Sequence, residues 1–155
     1  MKSDSNITIK EVISSDELKK FVMFPHTLYK DSKYWVAPII KEELEVLNKE
    51  TNPVFNNAIA HYFLAYIDGE IVGRIAALIN WIEVKDLKKK KVRFGWFDFI
   101  DDQNVSKALL EKVIEIGKKN NLEFIEGPVG FSNMDKAGML IKGFEKKNTM
   151  ITMYN

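Results

Sequence analysis

The stretch Tyr62-Phe-Leu-Ala-Tyr-Ile-Asp-Gly-Glu-Ile-Val-Gly-Arg-Ile-Ala-Ala-Leu-Ile-Asn80 decides the fold. Its two β-rich runs, Tyr62–Ile67 and Ile71–Asn80, meet at Asp68-Gly69. An Asp-Gly pair suits a two-residue type I′ turn, because both central positions need positive φ. The stretch therefore reads as a β-hairpin. Both faces of its strands are largely apolar, so the sheet is expected to be covered on both sides.

Working outward, Lys85–Lys91 is a polar excursion and Val92–Ile100 reads as a third strand. Asp101-Asp102 starts a helix whose one face carries Val105, Leu109, Val113 and Ile116. Asn120-Asn121 ends it, and Leu122–Ile125 is a further short strand before Gly127-Pro128. Upstream, Ile7–Ile13 reads as a strand. Ser15 or Asp16 offers a cap to a helix around Glu17–Tyr29, which Pro25 is expected to break or kink. Ile39–Lys49 reads as a second helix with Ile40, Leu44 and Leu47 on one stripe, and Asn52-Pro53 marks a turn. The order is strand, two helices, hairpin, strand, helix, strand. It fits a mixed α/β sheet with one crossover in a single domain, residues 1–155.

The chain has 155 residues, enough for one core and too few for two comfortable ones. Lys and Arg number 23 against 22 Asp and Glu, so no global positive field exists to draw nucleic acid. There is no cysteine, which excludes disulfides, thiolate metal sites and a cysteine nucleophile. Two histidines, far apart in sequence, leave no metal-ligand spacing, and no metal is expected. No apolar run approaches the ~18–20 residues of a membrane span, and no signal core follows Met1. The expectation is a cytoplasmic protein with neither nucleic acid nor membrane as partner.

The element order, carried by Tyr62–Asn80, Val92–Ile100, the helix from Asp102 with Lys107-Ala108-Leu109-Leu110, and Leu122–Ile125, resembles the GNAT acyltransferase fold. A narrower likeness, to a group of longer bacterial GNAT-like proteins, rests on Phe24-Pro25-His26-Thr27-Leu28-Tyr29-Lys30, Trp35-Val36-Ala37-Pro38, Asn52-Pro53-Val54-Phe55, Val72-Gly73-Arg74-Ile75-Ala76-Ala77, Phe94-Gly95-Trp96-Phe97-Asp98 and Gly127-Pro128-Val129-Gly130-Phe131-Ser132. In those proteins the chain continues past the position of Asn155. The resemblance thus implies a GNAT fold incomplete at its C-terminus. It also implies N-acyltransferase chemistry with acetyl-coenzyme A or another acyl-coenzyme A on a small-molecule amine. The alternative is a non-catalytic interaction or ligand-sensing module.

The resemblance puts the coenzyme along Phe99 and its phosphates at the helix start, on Asn104, Val105 and Ser106 with Lys107 beside them. Backbone N–H groups at a helix N-terminus hold phosphate there. This chain departs from the family's glycine-rich turn, because no glycine lies between Gly95 and Gly117. Asp101 and Asp102 set negative charge where phosphate would lie; at ~5 Å and an effective dielectric of ~20, one like-charge pair costs roughly 3 kcal/mol. The plainer reading is that Asp102 caps the helix.

Asp98 is the candidate base. Alternation places it on the side of Phe94 and Trp96, and the resemblance implies a carboxylate on this strand that deprotonates an amine. A strand-end carboxylate open to water is the other reading. Arg74 interrupts an apolar strand and is either a ligand for a carboxylate or phosphate, or the partner of a buried acid across the sheet. The glycine-dotted stretch Gly127–Gly143 offers Phe131, Ser132 and Asn133 as substrate contacts or is a tail awaiting a partner. The lysines of Lys85–Lys91 with Arg93 read as a solvated loop. The Leu122–Ile125 strand has no evident following partner, so a homodimer, or exchange of Phe131–Asn155 between two copies, is expected.

Overall fold

The computed structural model describes residues 6–147. A five-stranded sheet runs in the order β1-β2-β3-β4-β5, with β1 Thr8–Glu11, β2 Ala58–Ile67, β3 Glu70–Asn80, β4 Lys91–Phe99 and β5 Phe124–Glu126. Neighbours are antiparallel except β4 and β5, which are parallel. Helices α1 Ser15–Leu28 and α2 Ile40–Leu47 precede β2, and α3 Gln103–Lys119 makes the crossover from β4 to β5. The mixed α/β reading holds.

The hairpin forms as read. Ile67 pairs with Glu70, and Asp68 and Gly69 stand at φ +50° and +85°. Alternation along β2 and β3 then sorts the core. Phe63, Ala65, Ile75, Ala77 and Ile79 face α3, where Val105, Leu109, Val113 and Ile116 meet them. Tyr62, Leu64, Ala76 and Leu78 face α1 and α2, against Phe21, Val22 and Leu47. Both sides of the sheet are covered, which is why neither face of the hairpin reads as polar.

Four expectations are corrected. The cap of α1 is Ser14, not Ser15 or Asp16: its Oγ accepts from Glu17 N at 3.2 Å, while Glu17 Oε2 accepts from Ser14 N at 3.1 Å. The backbone N–H groups of Ile13 and then Ser14, both donating to Glu17 Oε2, hold the Glu17 carboxyl below its ordinary value. Of the break or kink expected at Pro25, the break does not occur: α1 continues through it to Leu28. Proline has no N–H for the Phe21 carbonyl, but Arg74 Nη1 donates to that oxygen at 2.8 Å in its place.

Lys91 and Arg93 are not solvated. They lie buried on β4 beside Glu83, which sits in a single helical turn, Ile82–Asp86. Arg93 Nη2 and Nε donate to the two Glu83 oxygens at 2.5 and 2.9 Å, and Lys91 Nζ lies 3.3 Å from Glu83 and 2.6 Å from Glu126. Burial by itself would raise the Glu83 pKa, but the Arg93 and Lys91 bonds outweigh it and leave the group below its ordinary value.

The fourth correction concerns Phe94. Arg74 pairs with Asp98 but Ala76 pairs with Gly95, so β4 carries one extra residue there. Trp96 occupies this bulge at φ +46°. The bulge resets the alternation. Phe94 faces α3, whereas Trp96 and, beyond it, Asp98 face α1 and α2.

After β5 the chain crosses β4 on its way to residue 147. Gly95 permits this: a Cβ there would stand 2.6 Å from the Val129 carbonyl oxygen. No helix or strand follows β5 among the described residues. β5 is therefore an edge strand there, with Phe124 and Ile125 exposed. The last part of the segment expected to exchange, residues 148–155, lies outside the described residues. No helix among the described residues is long and apolar enough to cross a membrane.

Candidate active site

On the α1/α2 side of the sheet, Arg74 and Tyr29 converge on Asp98. Its Oδ2 accepts from Arg74 Nε and Nη2, both at 2.8 Å, and its Oδ1 accepts from the Tyr29 hydroxyl at 2.9 Å. The strand register makes the first contact, because Arg74 and Asp98 are direct cross-strand partners. Helix α1 makes the second by delivering Tyr29 at its C-cap. Arg74 is 5% exposed and its guanidinium also stacks on Phe21, 5.1 Å from the ring centre. Arg74 forms the buried pair across the sheet and also borders the cavity that runs between α1, α2 and β4. Burial, then the Asp98 charge and the hydrogen bond to it, hold the Tyr29 phenol well above its ordinary value, so it remains a donor.

The Asp98 side chain stays 19% exposed and borders two cavities. The first, about 430 Å3, runs between α1, α2 and β4, with an apolar wall of Pro25, Val36, Pro38, Ile39, Met139 and Leu140. The second, about 390 Å3, lies among Ser32, Tyr34, Phe144 and Lys146. Tyr29, Trp35, Asp98 and Leu140 border both, so Asp98 stands where the two meet.

The floor of the first cavity is a second polar cluster. Trp96 Nε1 donates to Glu43 Oε2 at 2.7 Å, Lys136 Nζ pairs with Glu43 Oε1, and the Lys136 ammonium lies 4.8 Å from the Trp96 ring centre. The bulge aims Trp96 at this cluster. Lys136 ties the segment after β5 to α2.

No family model matches the chain. Protein YghO of Escherichia coli K12 is 32% identical over 137 residues, 88% of this chain. The bacterial ceramide synthase of Caulobacter vibrioides is 27% identical over 144 residues, 92% of this chain. The chain spans 35% and 38% of the lengths of these two relatives. Among solved structures, an aminoglycoside acetyltransferase from a soil metagenome, in complex with sisomicin, superposes with a TM-score of 0.56 at 17% identity, covering 79% of this chain and 77% of its own. A predicted acetyltransferase from Clostridium acetobutylicum, with acetyl-CoA, gives 0.57 at 13%, covering 77% and 79%.

The fold is that of the GNAT acetyltransferases.

On this GNAT fold the residues read as coenzyme contacts lie apart from the cavities at Asp98. Phe99 packs with Phe97 at 4.8 Å on the α3 side. Val105 is fully buried in the core, so only its backbone is available to a ligand. Asp102 is the N-cap of α3: its Oδ1 accepts from Asn104 N at 2.8 Å, and its carbonyl accepts from Val105 N and Ser106 N at 3.1 and 3.3 Å. The capping reading of Asp102 is therefore the one built. Ser106 Oγ donates to the Gln103 carbonyl at 2.9 Å. Lys107 is exposed on the first turn of α3.

The glycine-dotted segment contributes to the cavity through other residues than those read from sequence. Phe131 packs on Phe55 and Trp96, Ser132 closes a turn to Asp135, and Asn133 Oδ1 accepts from Arg93 Nη2 at 2.6 Å. None of the three lines either cavity; Lys136, Gly138, Met139 and Leu140 do. Tyr29, Trp35 and Glu43 also line the cavity, and none of them is among the site residues expected from sequence. For Glu43 a signal exists. It stands with Ile40, Leu44 and Leu47 on the inward stripe of α2, where a charge is out of pattern.

Proposed function

We propose that this chain forms an amide bond between the acyl group of an acyl-coenzyme A and a primary amine, with Asp98 as the proton acceptor. The amine nitrogen attacks the thioester carbonyl, the C–N bond forms, the C–S bond breaks and coenzyme A leaves as its thiolate. The proton lost from nitrogen passes to Asp98 Oδ1, directly or through one water. The observation that carries this reading is a carboxylate oriented by Arg74 and Tyr29 at the meeting of two cavities on a GNAT fold. The Trp35 and Tyr29 rings beside it suit an ammonium group.

The acceptor in this reading is an amphiphilic amine. One relative is named for ceramide synthesis, and a ceramide is an amide of a fatty acid with a long-chain amino alcohol. The apolar wall of the first cavity supports such a chain. The coenzyme lies along β4 past Phe99, with its phosphates at Asn104–Ser106 and Lys107. Arg74 serves by orienting Asp98, and residues 131–133 by holding the segment that reaches Lys136–Leu140.

A thiol-release assay with acetyl- and palmitoyl-coenzyme A, with and without a long-chain primary amine, tests the proposal. Release that depends on the amine and falls about 100-fold or more in Asp98→Asn is expected. Amine-dependent release that Asp98→Asn leaves intact overturns the role of Asp98, and absence of any release overturns the activity. One observation favours a second reading, a ligand-binding module without transfer: Asp102 already engages the N–H groups of Asn104, Val105 and Ser106. Calorimetry separates the two readings, because a module binds the amine and no acyl-coenzyme A.

A further inference from the structure

The mouth of the cleft is bordered by large apolar side chains that the fold leaves exposed. Met139, Ile141 and Phe144 are 63%, 76% and 63% exposed, and Leu140 beside them is about half exposed. Large apolar side chains grouped this closely on a surface mark a contact site. Met139 and Leu140 line the first cavity, and Leu140 and Phe144 the second, so the patch is continuous with both openings.

Charge tells what covers it. Lys142, Lys146 and Lys147 are exposed along the same segment, and Glu145 is the one acidic residue from 136 to 147. Across the second cavity, Lys33 lies 5.0 Å from the Tyr34 ring centre, and Tyr34 shares that cavity with Lys146. The chain as a whole carries a formal net charge of only +1, so this positive excess is local. Apolar side chains set among lysines on an irregular segment match a surface that offers an apolar interior beneath anionic groups.

We infer that residues 139–147, with Lys33, dock on an anionic lipid bilayer, the lysines meeting headgroups and Met139, Ile141 and Phe144 entering the acyl boundary. The bilayer lies against the cleft mouth, so an amphiphilic molecule passes from lipid to the cavities without crossing water. The expectation of no membrane partner rests on the lack of a spanning apolar run, and peripheral docking requires none. It goes beyond the acyltransferase reading and does not depend on it.

Co-sedimentation of the 155-residue chain with vesicles tests the inference. Binding to phosphatidylcholine vesicles holding about 30% phosphatidylglycerol is expected, with at least tenfold weaker binding to phosphatidylcholine alone. Raising salt from about 50 to 500 mM should weaken it strongly. The double substitution Ile141→Ser with Phe144→Ser should cost about tenfold or more, with an unchanged circular dichroism spectrum because both side chains are exposed. Replacing Lys142, Lys146 and Lys147 by Gln should abolish the preference for anionic vesicles. Equal binding to both vesicle types, no binding to either, or binding indifferent to Ile141→Ser with Phe144→Ser overturns the inference. So does a dimer in light scattering that this double substitution dissolves, which assigns the patch to a second copy. The measurement uses no acyl donor, so its failure and a failure of the transfer reaction are separate results.

Discussion

Arg74 and Arg93 are the only arginines in the chain. Both are buried on the sheet and both grip a carboxylate, yet the two pairs have different consequences. Glu83 faces two cations, Arg93 and Lys91, and Arg93 reaches on to Asn133 and the Gly130 carbonyl beneath the segment that follows β5. Asp98 faces one cation, Arg74, and a neutral phenol, and it opens on two cavities. Residue type and burial of the arginine do not distinguish the two pairs. They differ in that Asp98 borders both cavities and has one cationic partner, whereas Glu83 borders neither and has two.

The sealed pair should dominate stability. Arg93→Met leaves Glu83 buried with a single cation and should cost about 3–5 kcal/mol in denaturant unfolding. Adding Glu83→Gln should restore part of that loss, because the stranded charge is removed. If Arg93→Met cost no more than a surface change, the two pairs would not differ as described.

The open pair should dominate activity instead. Asp98→Asn should lower amine-dependent thiol release about 100-fold or more, while costing less stability than Arg93→Met, roughly 1–2 kcal/mol. The reverse ranking in the two assays would exchange their roles.

A third comparison sets Asp98 against Asp102, an acid at the cleft against an acid used as a cap. Asp102→Gly removes a negative charge from the start of α3 and should tighten acetyl-coenzyme A binding by about a hundredfold in calorimetry. Glycine is a tolerable cap, so the helix should lose only about a few tenths of a kcal/mol. Unchanged affinity would place the coenzyme phosphates away from Asn104–Ser106.

The smallest effect concerns pH. Glu83 is held below its ordinary value in the folded state, so its contribution is complete at neutral pH. That contribution is lost as pH falls through the ordinary carboxylate range and then through the lowered folded value. In urea titrations at acid pH, Glu83→Gln should therefore flatten the fall in stability by about 1 kcal/mol or less. A steeper fall in the variant would contradict the sign.

Much of the frame was legible because it depends on local pattern. The hairpin at Asp68-Gly69 needs only two residues that accept positive φ, and the inward face of α3 needs only helical spacing. The site was legible in part. Asp98 and Arg74 were singled out for being charged on apolar strands, and the structure brings them together. Tyr29 gave no such signal, since a tyrosine at a helix end is ordinary. Its meaning comes from Asp98, 69 positions along the chain.

By itself, then, the sequence determined the element order and the covered sheet, because turn chemistry and hydrophobic period act over a few neighbouring residues; the burial of Lys91 and Arg93 it did not determine. It could not tell which carboxylate each arginine takes, nor that α1 runs through Pro25. Those outcomes depend on register and on a carbonyl freed in a different element. One extra residue in β4 turns Trp96 and Asp98 to the side of α1 and α2, and Arg74 then bridges Asp98 to the Phe21 carbonyl that Pro25 leaves unpaired. Only the tertiary structure decided this, because a hydrogen-bond donor buried on one element must find its acceptor on whichever element packs against it.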